Sequence, residues 1–169
     1  LMADGPLFHL IAGGTGAGKS TYAARMAGEL GALRFSIDPW MVRLFGPDSP
    51  PGPDYDWAME RVRRCHGQML ETADQAAALG VPSVFDLGAS ERRDRDAFAA
   101  AASARGRAVR LHWFEVDAKT RWARVQRRNE ERGDTFAFPV DRMMFQFMER
   151  RLEAPDAAEM EALSGVVVT

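Results

Sequence analysis

A chain of 169 residues with 22 Lys and Arg against 24 Asp and Glu has a formal charge of −2, which leaves no general basic field for holding a long nucleic acid. That length suits one domain with one core, residues 1–169, and is too short for two substantial domains. The single cysteine, Cys65, excludes an internal disulfide, and no apolar run resembles a signal peptide or membrane span, so the expected location is cytoplasmic.

In chain order, Leu7, Phe8, Leu10, Ile11 and Ala12 predict a short buried parallel strand. Gly13–Ser20 follows as GGTGAGKS and fits G-x-x-x-x-G-K-[ST] without a mismatch. In that pattern the backbone N–H groups of Gly13, Gly14, Thr15, Gly16, Ala17 and Gly18 turn toward one point without intervening side chains, and that point is where phosphate oxygens sit. Lys19 reaches the β and γ phosphates and Ser20 places its hydroxyl on Mg²⁺. The helix that continues through Thr21 to Leu30 aims its positive end at the anion. ATP and Mg²⁺ are the expected ligands.

A second strand is predicted over Leu33–Ile37, ending at Asp38 and Pro39, and the proline-rich residues 46–54 are expected to form a loop. From Tyr55 to Leu79 a helix is expected, with Val62, His66, Met69, Ala73 and Ala76 at alternating spacings of four and three and Gly80 as its stop. Cys65 and His66 fall inside this pattern and read as packing residues. Val81–Asp86 is the third strand and Val109–Val116 the fourth, separated by a helix from about Glu91 to Ala104. Asp117 caps a helix running to about Arg132, and Pro139 opens another whose stripe of Val140, Met143, Met144, Phe147 and Met148 reads as core. Val166–Val168 completes five strands. Strands alternating with helices imply an α/β fold, a parallel sheet covered on both faces.

The remaining residues narrow the kind of nucleotide chemistry. Guanine switches carry N-K-x-D, and the only asparagine here, Asn129, is followed by Glu130. Hydrolytic motors end the third strand in Asp-Glu, and here Asp86 is followed by Leu87. Asp86 has two open roles, holding Mg²⁺ or capping a turn. Asp38 follows the second strand, whose carboxyl end faces the ligand crevice of a parallel sheet, and is the candidate base for moving the γ-phosphoryl group to a hydroxyl; a turn-capping role is also open. Arg124, Arg128 and Arg132, spaced by four among Arg121 and Arg127, present guanidinium groups on one helical face. They suit a lid over ATP, about residues 121–138, or else a solvated face. Trp40, Arg43 and Tyr55, with Phe45, Trp57, Arg61 and Arg64, form an aromatic and arginine mixture that either walls a small polar acceptor or packs the proline-rich loop.

Together these segments resemble the small P-loop kinases and phosphotransferases that include zeta toxins, chloramphenicol phosphotransferase, gluconate kinase and the kinase domain of polynucleotide kinases. The resemblance spans nearly the whole chain. It is similar in particular to bacterial zeta-toxin-like ATP-binding proteins in GGTGAGKST, SIDPWMVRLFG, VFDLG followed by Arg95, and RWARVQRRNEERG with the following MMFQFMERRLEAP. The resemblance implies a P-loop NTPase fold, a five-stranded parallel sheet in the order 2-3-1-4-5 with a helical lid, and Asp38 as base. The arginine pair that precedes the lid of gluconate kinase carries over to Arg124 and Arg128. Two departures stand out. Polynucleotide kinases place an arginine three residues after the aspartate, where this chain has Met41 and its nearest arginine is Arg43, and the chain lacks room for the insertions of zeta toxins. The expected function is ATP-dependent phosphorylation of a small-molecule hydroxyl. The alternatives are a nucleotide-binding regulatory module or weak ATPase, and a nucleotide or polynucleotide 5′-hydroxyl kinase.

Overall fold

The strands β1 (Phe8–Gly13), β2 (Leu33–Ser36), β3 (Ser83–Asp86), β4 (Val109–Phe114) and β5 (Val166–Val168) form one sheet in the order β2-β3-β1-β4-β5, with every pair parallel. This computed structural model describes residues 7–134 and 136–169, so Thr135 of the expected lid lies outside the described residues. All six residues of β1 are buried, as a central parallel strand covered on both faces requires.

Seven α-helices lie among the described residues: α1 (Lys19–Leu30), α2 (Ile37–Phe45), α3 (Tyr55–Ala78), α4 (Arg92–Ser103), α5 (Ala118–Glu131), α6 (Arg142–Glu149) and α7 (Ala157–Ala162). Alternation along the strands divides the core. Phe8, Leu10, Phe85, Leu111 and Trp113 pack with Met69, Ala73 and Ala77 of α3 and Phe98 and Ala102 of α4, while Ile11, Val84 and Phe114 pack with Ala23 and Ala27 of α1. Phe85 sits at the centre of the first group, with ring centroids 5.2 Å from Phe8, 5.2 Å from Phe35 and 4.8 Å from Phe98. A third cluster joins Val125 and Trp122 of α5 to Val140 and to Phe145 and Met148 of α6.

Several local expectations are corrected. The second strand stops at Ser36, so Ile37, Asp38 and Pro39 form the first turn of α2, which was not expected; proline tolerates that position because an N–H there has no helical partner. Residues 46–54 include one turn of 3₁₀ helix, Gly46–Asp48. Asp141, whose carboxylate accepts from Met144 N at 2.7 Å, rather than Pro139, opens α6. The expected stripe is not core throughout: Val140 is buried and Met148 packs beside it, but Met143 is 78% exposed and Met144 and Phe147 are each 40% exposed, while Phe145, outside the stripe, is buried. Eight residues offer one packing face, and Phe145 with Met148 takes it. The last segment is docked by Arg95, fully buried in α4, whose guanidinium holds Glu159 of α7 at 2.5 and 3.1 Å and the Ala89 and Ser90 carbonyls at 3.2 and 3.1 Å. No described helix is long and apolar enough to cross a membrane.

Candidate functional site

Register places the site. Ser36 of β2 and Ile11 of β1 both pair with Asp86 of β3, so the carboxyl ends of three adjacent strands reach one level, where the Gly13–Ser20 loop crosses into α1. The helices α3, α5, α6 and α7 each begin with an aspartate whose carboxylate accepts a first-turn N–H. In contrast α1 starts after Gly18, left-handed at φ +97°, with no side-chain cap, which leaves its first N–H groups for an anion. Thr21 stands exposed in that first turn.

The loop glycines are pressed against β4 and α5. A Cβ on Gly13 would come within 2.7 Å of Phe114 Cβ, one on Gly14 within 2.3 Å of Arg121 Nη1, and one on Gly16 within 2.4 Å of the Arg121 carbonyl oxygen. Lys19 folds back to donate to Gly14 O at 2.8 Å. Burial lowers its pKa, opposed by the Asp86 and Asp38 carboxylates. The Ser20 hydroxyl donates to Asp86 Oδ2 at 2.6 Å, and Ser36 donates to the same oxygen at 3.3 Å. A hydroxyl beside one buried carboxylate is an oxygen donor set suited to Mg²⁺ brought in on a nucleotide, whose phosphates and waters complete the shell. Among the described residues no group of three or more His, Cys, Asp or Glu side chains forms a protein metal cage.

Asp38 stands in the first turn of α2, part of the residue open to solvent while its carboxyl is crowded by protein. Desolvation by the surrounding protein and the Asp86 carboxylate raise its pKa, while Lys19 and Arg128 pull it down. Asp38 and Lys19 thus each lie in the field of the other, of Asp86 and of Arg128. Arg128 brings a buried Nε with no hydrogen-bond partner among the described residues, a donor suited to a phosphate oxygen.

The arginines of α5 divide their roles. Arg124 donates to the Ala17 carbonyl at 3.2 Å, and the Arg128 charge acts on Lys19 and Asp38. Arg132 does not share their face: it follows the last turn, left-handed at φ 47°, and stacks over Phe136. Arg121 supports the loop from below. It is 3% exposed and donates to the Val116 carbonyl at 2.8 Å and to the Thr15 carbonyl at 3.3 Å, and its guanidinium forms a fork with both Glu149 oxygens of α6 at 2.7 Å. Thr15 Oγ1 also meets Met148 Sδ at 3.2 Å. The supporting roles of Arg121, Glu149 and Ser36 were not legible in the sequence, since each depends on a partner at least 28 residues away.

The three proposed acceptor contacts separate. Trp40 packs edge-on against Phe35 and belongs to the core, and Arg43 is exposed about 140° around α2 from Asp38. Tyr55 is 44% exposed and meets Phe147 of α6 edge-on at 6.0 Å.

Solved structures similar to this chain share its fold at low identity. A sugar kinase from Janibacter sp. HTCC2649 aligns with a TM-score of 0.64 and 20% identity, over 96% of this chain and 84% of its own. A gluconokinase from Sinorhizobium meliloti 1021 gives 0.59 and 20%, over 96% and 82%. Kti12 from Chaetomium thermophilum, in complex with ADP-AlF3, gives 0.71 and 13%, over 97% and 89%. No curated protein matches the chain. The family model described as AAA domain, AAA_33, matches residues 8–155, a span that includes the phosphate loop, Asp38, Asp86 and the arginines of α5, and the chain belongs to that family.

Proposed function

We propose that this protein is an ATP-dependent phosphotransferase acting on a hydroxyl of a small molecule, with Asp38 as the base. The observation that carries this reading is the place of Asp38 in the first turn of α2, directly after the strand whose Ser36 donates to Asp86, the carboxylate that also accepts from Ser20 of the phosphate loop, because a carboxylate beside that loop suits an incoming hydroxyl. In the step, the acceptor oxygen bonds to the γ-phosphorus, the bond from that phosphorus to the β–γ bridging oxygen breaks to release ADP, and the hydroxyl proton passes to the Asp38 carboxylate. Lys19 and Arg128 neutralise charge that develops on the phosphoryl oxygens, so the residues act through position and electrostatics. Ser20 and Asp86 would hold Mg²⁺, which supplies further charge neutralisation when bound.

The nucleoside half is assigned to a groove of about 430 Å³ lined by Lys119, Thr120, Ala123, Arg124 and Arg127. Arg124 links that groove to the loop through Ala17, and a planar guanidinium suits stacking on a base. Screening hydroxyl compounds with labelled ATP and Mg²⁺ tests the reading. Asp38→Asn should lower acceptor phosphorylation by about a hundredfold or more while ATP still binds. Slow ATP hydrolysis that no acceptor stimulates and that Asp38→Asn leaves unchanged would instead favour a regulatory module.

A further inference from the structure

We infer that Met148 is an oxidation site that governs nucleotide binding: conversion of its thioether to the sulfoxide by a peroxide uncouples α6 from the phosphate loop and weakens the hold on ATP. This goes beyond the phosphotransfer reading, since it concerns the donor side alone and is indifferent to the acceptor. Of the nine methionines in the chain, Met148 is the one whose sulfur, among the described residues, accepts a hydrogen bond from the Gly13–Ser20 loop, from Thr15 Oγ1 at 3.2 Å.

The surroundings of this sulfur carry its state to the loop. Thr15 is held on two sides, its hydroxyl by Met148 and its carbonyl by Arg121 Nη1 at 3.3 Å. Arg121 is held in turn by Glu149, the next residue of α6, at 2.7 Å. The seat of α6 therefore reaches Thr15 through two consecutive residues. On its other side Met148 packs against Val125, Val140 and Phe145, all buried. The residue is itself half-buried, which leaves it within reach of an oxidant as small as hydrogen peroxide, whereas Met69 is fully enclosed.

In the reaction a sulfur lone pair attacks one peroxide oxygen, the O–O bond breaks as the S–O bond forms, and the second oxygen leaves as water with both hydrogens. Sulfur loses two electrons and the peroxide gains two, so no further reactant is needed. The product is polar and chiral, and neither position of the new oxygen suits this seat. Set toward Thr15, the oxygen has no room, because sulfur and hydroxyl oxygen are already in contact at 3.2 Å. Set the other way, it lies among the apolar side chains of Val125, Val140 and Phe145, a burial that costs free energy unless the group withdraws. Either displacement moves Glu149 and so slackens Arg121, whose grip on Thr15 keeps the loop N–H groups turned toward the phosphates.

The test treats the full chain with hydrogen peroxide, locates the added oxygen by tandem mass spectrometry, and measures ATP affinity with Mg²⁺ by titration calorimetry before and after. Conversion of Met148 should raise the dissociation constant about tenfold. Methionine sulfoxide reductases should return it to the starting value, which irreversible damage would not allow. In Met148→Leu, a swap close in volume, the ratio of the constants after and before peroxide should fall to about one. Replacing the two exposed methionines of the same helix, Met143→Leu with Met144→Leu, should leave the peroxide effect in place. Unchanged affinity with Met148 fully converted would overturn the inference, as would a peroxide effect that survives in Met148→Leu. Peroxide that oxidises Met143 and spares Met148 would overturn it too. Failure of the untreated chain to bind ATP would sink this inference and the phosphotransfer reading together. A reversible peroxide effect in a chain that phosphorylates no hydroxyl would support the oxidation site while sinking phosphotransfer alone.

Discussion

A Cβ on Gly16 would meet the Arg121 carbonyl oxygen, a backbone atom that cannot swing aside, at a residue whose φ of +80° already disfavours side chains. Gly18, also left-handed, has open space around its missing Cβ. Gly16→Ala is therefore expected to weaken nucleotide binding by well over tenfold, and Gly18→Ala by much less, the comparison being made by titration calorimetry with ATP and Mg²⁺. Asp38 makes a second prediction. Its carboxyl sits above the ordinary range because the protein around it desolvates the charge and Asp86 repels it, so transfer should fall with acid at a higher pH than an unperturbed aspartate would give. Arg128 holds that pKa down, so Arg128→Ala should move the inflection of the pH–rate profile further upward as well as slowing the reaction. An inflection that moves downward or stays in place would separate Arg128 from Asp38.

At the scale of elements, one buried and one partly buried ion pair fasten helices and differ in what they support. Arg95 and Glu159, 0% and 2% exposed, join α4 to α7. Glu159→Gln weakens an ion pair that leaves Arg95 buried in charge, and should cost about 3 kcal/mol in denaturant unfolding without altering ATP affinity. Arg121 and Glu149 join α5, α6 and the phosphate loop. Glu149→Gln should both destabilise the fold and loosen ATP binding, and the paired change Arg121→Leu with Glu149→Leu should recover stability but not affinity, because the Thr15 carbonyl loses its donor. Recovery of both would show that the pair acts on packing alone. Asn129 performs a related task, exchanging two hydrogen bonds with the Val140 backbone at 2.8 and 3.1 Å and so closing the segment between α5 and α6.

For the whole molecule, acid stability should be set on the α1 side of the sheet. His9 Nδ1 lies 3.0 Å from His112 Nε2, and Tyr22 OH lies 3.0 Å from His112 Nδ1, all tying β1 and β4 to α1. Burial, then His9 and Arg110, lower the pKa of His112 from 6.5 to about 4, and burial and Arg110 lower that of His9. A depressed histidine binds fewer protons folded than unfolded. Its stabilisation is complete above the unfolded value of 6.5 and is lost as pH falls toward about 4, on the order of 3 kcal/mol for His112 alone. His112→Phe should flatten that part of the pH–stability curve, measured by denaturant titration between pH 7 and 4.

Local pattern was enough for the sheet and the loop, because an apolar strand, a glycine-rich turn and a helix follow in contiguous residues, and their physics is short-range. Repeated strands and helices implied the parallel sheet by the same logic. Asp38 was legible as a residue but not as part of a helix, since Ile37-Asp38-Pro39 reads equally as a strand end or a helical first turn until α2 packs on α3. The stripe on α6 was misread for a related reason. Amphipathic spacing marks apolar residues but not what covers them, and here the α5 cluster takes Phe145 and Met148 and leaves Met143, Met144 and Phe147 largely outside it. Arg121 was legible only as one cation among several on an arginine-rich helix. That it lies beneath Gly14 and is held by Glu149 was decided by tertiary structure, because a buried charge takes its role from partners that the folded chain brings within hydrogen-bond distance.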